Sequence, residues 1–156
     1  MLAIDVPGLG VLALEHLVLD FNGTLAVDGE LLAGLGDRLT AAAARLSIHV
    51  LTADTHGTAK RALAGLPCAL CVVGQPDQAE AKLRFVESLG TERVAAIGNG
   101  RNDRLMLTAV RLGIAVVQRE GAAAETIAAA DVVVPTIEDA LDLLLWPLRL
   151  VATLRS

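Results

Sequence analysis

Four short segments of the chain carry polar side chains whose types and spacing could act together in chemistry. They are DFNGT at 20–24, TAD at 52–54, Lys82, and GNGRND at 98–103. Asp20 can act as a carboxylate nucleophile, and Thr52 and Lys82 can hold phosphate oxygens. Phosphoryl transfer needs these parts, because positioning and charge neutralisation supply most of its catalysis. Mg²⁺ prefers one or two carboxylates with phosphate and water oxygens, and Asp20 and Asp103 fit that preference.

The elements around these segments predict an alternating α/β fold. Short β-rich runs alternate with Ala/Leu-rich helical runs from Leu17 onward, which is typical of a parallel sheet covered by helices on both faces. The predicted strands are HLVLD, IHVLT, ALCVV, VAAIG, GIAVV and DVVVP. The predicted helices lie near Leu31 to Leu46, Gly57 to Ala64, Gln75 to Leu89, Asp103 to Arg111, Ala122 to Ala129 and Ile137 to Leu145. Three of the four polar segments follow strands, and ligands of such sheets bind at the carboxyl ends of the strands.

Residues 2–15 predict one further element ahead of this pattern. Apolar residues alternate there around Pro7-Gly8, which is a turn dipeptide. We expect a small antiparallel hairpin on the edge of the sheet.

Composition predicts one acidic domain and excludes several classes of protein. A chain of 156 residues fits one domain, and 54% hydrophobic residues with no Tyr indicate an aliphatic core. A net charge of −5 leaves no cationic surface for nucleic acid. We see no signal-peptide pattern, and the apolar stretch Leu141 to Leu154 is too short to span a bilayer. We therefore expect a cytoplasmic protein with no nucleic-acid or membrane partner.

The four segments, in this order and in this strand and helix context, resemble the four motifs of the haloacid dehalogenase-like (HAD) phosphohydrolase superfamily. The segments LTAD, IGNGRNDRLML and AADVVVPTIEDALDLL are similar to the phosphorylation domain of P-type ATPases. The chain thus looks like a soluble, stand-alone protein of that branch over Glu15 to Leu150. The resemblance implies a three-layer Rossmann-like fold and one catalytic domain, residues 1–156. Only 31 residues separate Asp20 from Thr52, too few for a cap domain, so we expect an open site.

The resemblance also implies a Mg²⁺-dependent phosphatase that forms an aspartyl-phosphate on Asp20. The implied catalytic residues are Asp20, Asn22, Thr52 and Lys82. The residues implied to bind phosphate are Gly23, Thr52, Ala53 and Lys82. The implied Mg²⁺ ligands are Asp20, the Asn22 carbonyl, Asn99 and Asp103. The substrate is expected to be a phosphorylated small molecule or a large phosphorylated partner.

Two positions depart from the family pattern, because they hold amides where these phosphatases usually have Asp. Asn22 stands at the position of the general acid and base, and losing that contribution lowers the rate by roughly 10²–10⁴. Asn99 stands at a Mg²⁺ carboxylate, and an amide oxygen binds the cation without charge. These changes leave a second function open, a catalytically weak protein that binds phosphate or a partner protein.

Other polar residues have plainer interpretations. Cys68 and Cys71 lie three positions apart in a predicted strand and so point to opposite faces, and we expect reduced, structural thiols. His16, His49 and His56 share no metal-ligand spacing, and we expect structural roles for them as well. The C-terminal LLLWPLRLVATL is expected to be a packing or dimer helix, which would make the protein a homo-oligomer if the helix is exposed.

Overall fold

The computed structural model describes residues 1–53, 57–74 and 76–156. Its strands are β1 Leu2–Val6, β2 Gly10–Leu14, β3 His16–Asp20, β4 Ala26–Val27, β5 Glu30–Leu31, β6 Ser47–Thr52, β7 Ala69–Val72, β8 Val94–Gly98, β9 Leu112–Val116 and β10 Val132–Val134. Its α-helices are α1 Leu35–Ala43, α2 Thr58–Ala62, α3 Gln78–Leu89, α4 Arg104–Ala109, α5 Ala124–Ala129, α6 Ile137–Leu145 and α7 Pro147–Leu154. Short 3₁₀ helices span Thr91–Arg93 and Arg101–Asp103.

Six parallel strands form the central sheet and confirm the predicted α/β fold. Their order is β10-β9-β8-β3-β6-β7, and each corresponds to a predicted strand segment. Every residue of β8 and β9 is buried, as expected for strands covered on both faces. Along β3 the side chains alternate between two apolar clusters, with Leu17 and Leu19 in one and Val18 in the other.

Helices cover both faces of the sheet and make three layers. On one face α1 packs against α6, and Leu39 and Leu141 join the larger apolar cluster. On the other face α3 packs against α4, and Val86 and Met106 join the smaller cluster. These four helices therefore bury apolar side chains on both faces of the sheet, as amphipathic helices in layered folds do.

The central strand β3 brings the polar segments to one edge of the sheet. The chain places β6 and β7 on one side of β3 and β8, β9 and β10 on the other, so the strand order reverses direction beside β3. Asp20 is paired with Leu51 of β6, and Leu19 is paired with Ile97 of β8. The loops after β3, β6 and β8 therefore begin side by side at the kind of crevice where ligands of open α/β sheets bind.

The N-terminal hairpin forms as predicted, but its predicted position is wrong. Strands β1 and β2 pair antiparallel across the Pro7-Gly8 turn, and they form a separate two-stranded sheet. The edges of the large sheet are β7 and β10 instead. Glu15 N–H donates to Arg93 O over 2.8 Å, directly before β8 begins. The hairpin thus lies at the amino ends of the strands, away from the polar loops.

A second hairpin occupies the start of the first predicted helix. Strands β4 and β5 pair antiparallel around Asp28 and Gly29, whose φ angles are 53° and 80°. A two-residue hairpin turn of this kind favours Asp-Gly, so α1 begins at Leu35 and not near Leu31. Helix α6 has the predicted bounds, Ile137–Leu145, and the other predicted helices differ from theirs by a few residues. Gln75, the predicted start of α3, lies outside the described residues.

The last apolar stretch forms two helices, α6 and α7. Pro147 is the first residue of α7, a position where proline is favoured. Leu150 is buried, whereas Trp146 and Leu148 are 62% and 83% exposed. None of the helices within residues 1–53, 57–74 and 76–156 combines the length and apolar character that a membrane crossing requires.

Candidate active site

Buried polar side chains gather around the carboxyl ends of β3, β6 and β8. Within the described residues, the buried polar or charged residues are Asp20, Thr24, Thr52, Lys82, Asn99, Asp103 and Thr126. Five of them belong to the predicted site. Burying a polar group costs free energy unless it is hydrogen-bonded. The side chains of this cluster therefore need hydrogen-bond or ion-pair partners within the protein.

Lys82 joins two of the predicted carboxylates. Its Nζ lies 2.6 Å from Asp20 Oδ1 and 2.6 Å from Asp103 Oδ1, and the side chain is 1% exposed. Helix α3 carries Lys82 on the same face as Val86, which is buried in the core below. The single positive charge of Lys82 therefore lies between two carboxylates and reduces their mutual repulsion. The structure thus brings together residues that are 62 and 21 positions apart.

Burial shapes the protonation of this group. Burial and the neighbouring Asp103 raise the pKa of Asp20 to about 7, against the lowering effect of Lys82. Burial lowers the pKa of Lys82, but the carboxylates of Asp103 and Asp20 outweigh it and raise that pKa overall. Lys82 therefore stays cationic while Asp20 titrates near neutral pH. Perturbed carboxylates beside a charged partner are typical of functional sites.

Asp103 organises the GNGRND loop. Its Oδ2 accepts hydrogen bonds from the N–H groups of Asn99 and Gly100 over 3.0 and 2.9 Å, while Oδ1 accepts from Lys82. A Cβ at Gly98 would lie 2.5 Å from Asp103 Cγ, which explains glycine at that position. Both carboxylate oxygens thus have protein partners. These contacts show that Asp103 orients Lys82. Direct binding of Mg²⁺ by Asp103 stays a prediction.

The loop after β3 is a tight turn. Phe21 O accepts from Ala26 N–H over 2.9 Å, and Gly23 N–H donates to Ala26 O over 2.7 Å. Gly23 has a φ of 79°, in the region that favours glycine. Asn22 is exposed between two buried residues. Gly23 N–H, one predicted phosphate donor, therefore has a partner within the loop, whereas Asn22 faces the solvent side of the site.

Asn99 links three loops through its side chain. Its Nδ2 donates to Gly121 O over 3.0 Å, and its Oδ1 accepts from Thr24 Oγ1 over 3.4 Å. A Cβ at Gly23 would lie 2.7 Å from Asn99 Oδ1, so the amide packs directly on the turn after β3. Asn99 therefore lies beside the loop that follows Asp20.

The β6 loop supplies Thr52 and Ala53. Thr52 ends β6, is 1% exposed and accepts a backbone hydrogen bond from Val73 over 2.8 Å. Ala53 follows it and is half-buried. Asp54 and His56 lie outside the described residues, so the expected structural role of His56 stays a prediction.

Two residues that hold the site were missed in the sequence. Gln118 Nε2 donates to Gly23 O and Thr24 O over 2.8 and 2.7 Å. Thr126 Oγ1 donates to Gly100 O over 2.8 Å. Gln118 follows β9 at the same edge of the sheet. The expectation that site residues follow the carboxyl ends of parallel strands therefore applies to Gln118 as well. Thr126 lies in an Ala-rich helix and carries no comparable signal.

The donors at this edge fit a hydrated divalent cation. Among the residues that the structure describes, no three His, Cys, Asp or Glu side chains gather as a metal site. The Asp20 carboxylate, the Asn99 amide oxygen and the Asn22 carbonyl come from two adjacent loops and provide oxygen donors. Mg²⁺ commonly takes one or two carboxylates and keeps several waters or phosphate oxygens. This donor set therefore suits Mg²⁺ bound together with phosphate.

His16, His49 and the two cysteines do not belong to the buried polar cluster. His16 Nδ1 and His49 Nε2 are 3.2 Å apart, and the His49 ring lies edge-on to Phe85. Cys68 and Cys71 are free thiols whose pKa values are raised by burial, which lowers the fraction of reactive thiolate.

Comparisons with known proteins match parts of this sequence. A family profile described as haloacid dehalogenase-like hydrolase matches residues 82–141, which include Lys82 and the GNGRND loop. An uncharacterized protein of Methanocaldococcus jannaschii is 51% identical over 80 residues, which span 49% of this chain and 86% of that protein.

Solved structures share the fold at low sequence identity. A protein from Legionella pneumophila, described as a candidate HAD superfamily (subfamily III A) hydrolase, has a TM-score of 0.72 and 20% identity over 92% of this chain and 88% of its own. The 3-deoxy-D-manno-octulosonate 8-phosphate phosphatase from Moraxella catarrhalis, in complex with magnesium, phosphate and KDO, has a TM-score of 0.71 and 17% identity over 86% of this chain and 87% of its own. Residues 82–141 thus match the haloacid dehalogenase-like hydrolases, and the solved structures share the fold of most of the chain.

Proposed function

We propose that the protein is a Mg²⁺-dependent phosphohydrolase that works through an aspartyl-phosphate on Asp20. The observation that carries the proposal is the buried contact of Lys82 with Asp20 and Asp103 at the switch point of the sheet. A carboxylate, a fixed cation and adjacent loop amides are the parts that phosphoryl transfer needs. A phosphatase of similar fold was crystallised with magnesium and phosphate, which supports the same chemistry here.

In the first step an Asp20 carboxylate oxygen attacks phosphorus. A bond forms between that oxygen and phosphorus, the bond to the leaving group breaks, and the leaving oxygen departs with the electron pair. Lys82 and Thr52 hold phosphate oxygens and offset their charge, together with backbone N–H groups of the adjacent loops. In the second step the oxygen of a water molecule forms a bond to phosphorus and the bond between phosphorus and the Asp20 oxygen breaks. The electron pair returns to the Asp20 carboxylate, the proton of the water passes to solvent, and inorganic phosphate is released.

The cation would be held by Asp20, the Asn22 carbonyl and Asn99. When bound, Mg²⁺ supplies positive charge that lowers the repulsion between the carboxylate and the phosphate. Asp103 acts indirectly, because it orients Lys82 and accepts a hydrogen bond from the backbone of the loop that carries Asn99.

Asn22 restricts the substrates that the site can process well. An amide cannot give a proton to the leaving oxygen or take one from water. The leaving group must therefore be stable as an anion or take its proton from solvent. Acyl phosphates, p-nitrophenyl phosphate and nucleotide anhydrides meet this condition better than sugar phosphates. With an amide at position 22, hydrolysis of the aspartyl-phosphate is also slow. This proposal therefore includes a resemblance to the P-type-ATPase-like branch, whose aspartyl-phosphate persists.

Acid-quenched labelling tests the nucleophile. The protein is incubated with ³²P-acetyl phosphate and Mg²⁺, and label on Asp20 is located by peptide mapping. Asp20→Asn should carry no label. Asp5→Asn, which removes an exposed carboxylate of the N-terminal hairpin, should label like the wild type. Equal labelling of wild type and Asp20→Asn would disprove the nucleophile assignment.

A second candidate is a protein that binds phosphate or a partner without useful turnover. The Asn99 amide favours it, because its Nδ2 is engaged with Gly121 O and provides no charge for a cation. Mg²⁺-dependent hydrolysis of p-nitrophenyl phosphate that is lost in Asp20→Ala separates the two. Phosphate binding without such hydrolysis would support the second candidate.

A further inference from the structure

Gln118 ties the turn after Asp20 to the start of helix α6. Its Nε2 donates to Gly23 O over 2.8 Å and to Thr24 O over 2.7 Å, and its Oε1 accepts from Ile137 N–H over 3.2 Å. A primary amide has two N–H donors and one carbonyl acceptor. Gln118 therefore uses the two ends of its amide on two different elements.

The backbone of Gln118 is held in an uncommon conformation. Its φ is 50°, in the left-handed region that residues other than glycine seldom adopt. Glycine would reach this conformation without strain but has no side chain to hold the turn. Gln118 N–H donates to Pro135 O over 2.8 Å, which fixes the residue against the β10 end of the sheet. Local strain of this kind persists where surrounding contacts enforce it, often at functional sites.

The two carbonyls that Gln118 holds belong to the turn that carries the proposed chemistry. A peptide group is planar, so fixing the Gly23 carbonyl also fixes the direction of the Thr24 N–H. The same turn carries the exposed Asn22 and packs Gly23 on Asn99. A loose turn would misplace these groups relative to Asp20.

We infer that Gln118 is a positioning residue that holds the turn after Asp20 in the geometry needed for phosphoryl transfer. The inference rests on the proposed function, since phosphoryl transfer is the task assigned to the turn. On this inference, the two N–H donors of its Nε2 support the reaction, because they hold the turn carbonyls. The plainer alternative is that Gln118 only caps α6 through its Oε1, in which case the acceptor is the part that matters.

Three substitutions separate the donors from the acceptor. Gln118→Glu keeps an acceptor for Ile137 N–H but places carboxylate oxygen against the two turn carbonyls. Gln118→Lys keeps N–H donors for those carbonyls but loses the acceptor. Gln118→Met loses both at similar length. Arg119→Met is the matched control, because Arg119 is the adjacent exposed residue.

The rate of Asp20 labelling at saturating acetyl phosphate and Mg²⁺ is the main measurement. We expect a loss of about tenfold to a hundredfold in Gln118→Glu and Gln118→Met, since small misplacements of reacting groups cost that much. Gln118→Lys should recover most of the rate, and Arg119→Met should match the wild type. Melting temperatures recorded in parallel should not follow the same order, because a capping role and a positioning role depend on opposite ends of the amide.

A rate that is normal in Gln118→Glu and low in Gln118→Lys would assign Gln118 to capping and overturn the inference. So would wild-type rates in all three variants. Absence of label on wild-type Asp20 would instead refute the proposed function. Hydrogen exchange gives an answer that does not depend on activity: amides of residues 21–26 should exchange faster in Gln118→Met while those of β8 and β9 are unchanged. Unaltered exchange in 21–26 would also overturn the inference.

Discussion

The Nδ2 of Asn99 donates to the carbonyl oxygen of Gly121 over 3.0 Å. The bond requires an amide at position 99, because a carboxylate would set an acceptor oxygen against the carbonyl oxygen. Asn99 thus exchanges the charge that a Mg²⁺ ligand would carry for a link between the β8 loop and the loop before α5. The amide that weakens the predicted metal site is the same group that holds this edge of the sheet together.

Asn99→Asp should therefore make stability depend on Mg²⁺. Without metal, the lost donor and the new repulsion should cost about 1–3 kcal/mol of unfolding free energy. With Mg²⁺, the added carboxylate should bind the cation more tightly and recover part of that loss. Urea unfolding in EDTA and in Mg²⁺ measures both effects. Asn102→Asp adds a carboxylate to the same loop and serves as control, and an equal response to Mg²⁺ in the two variants would contradict the assignment.

Asn22→Asp should raise turnover of ordinary phosphomonoesters. Asn22 is exposed two residues after Asp20, and a carboxyl group at the acid-base position would protonate the leaving oxygen and then activate water. General acid and base catalysis contributes roughly 10²–10⁴ in rate, so the gain should be largest for poor leaving groups. Steady-state rates with a sugar phosphate and with acetyl phosphate measure the difference. No gain in a folded variant would mean that Asn22 does not occupy the acid-base position.

The strands and the main polar segments could be predicted because their signals are local. A buried parallel strand is a run of apolar residues, and a polar loop that follows it directly is visible in the adjacent residues of the sequence. Asp20, Thr52 and the GNGRND loop were found in this way, and the strand register then brings them together. Lys82 was located by its motif, and its contact with both carboxylates required the packing of α3.

The missed features depend on contacts between distant parts of the chain. Gln118 acts on residues 95 and 94 positions away, and nothing local marks it as a partner of Gly23. The hairpin β1–β2 has the expected alternation, but its location depends on a contact of Glu15 with Arg93, 78 positions later. The helix predicted near Leu31 to Leu46 overlaps β5, because a two-residue strand carries too short a pattern to predict.

Lys82→Met should destabilise the fold strongly. The substitution leaves Asp20 and Asp103 buried without their shared cation, and removing one partner of a buried ion pair costs roughly 3–5 kcal/mol. Lowering the pH should restore part of the loss, because protonation removes the repulsion. Lys60→Met, which alters the other lysine of the chain, an exposed one, should leave the free energy of unfolding nearly unchanged. Chemical unfolding of both variants measures the effect, and equal stabilities would contradict a structural role for the Lys82 contacts.

The stability of the metal-free protein should fall as pH rises toward neutrality. The pKa of Asp20 is raised to about 7 from 3.8, so the folded protein binds a proton between these values that the unfolded chain releases. The Asp20 contribution is therefore complete at low pH and is lost as pH rises, with a slope of up to about 1.4 kcal/mol per pH unit. Urea unfolding in EDTA at several pH values measures the slope. Asp20→Asn should lack this component, and an unchanged slope in that variant would refute the raised pKa.

Gly23→Ala should impair the site more than its backbone angle alone explains. Gly23 and Gly29 have φ angles of 79° and 80°, so alanine pays a similar left-handed penalty of about 1–2 kcal/mol at each. A Cβ at Gly23 would also meet the Asn99 amide, whereas nothing lies within 4 Å of one at Gly29. The extra cost at Gly23 should displace Asn99 and reduce Asp20 labelling, while Gly29→Ala should label normally. Unfolding curves and labelling rates for the pair test this, and equal losses in both variants would show that the contact between Gly23 and Asn99 does not support the site.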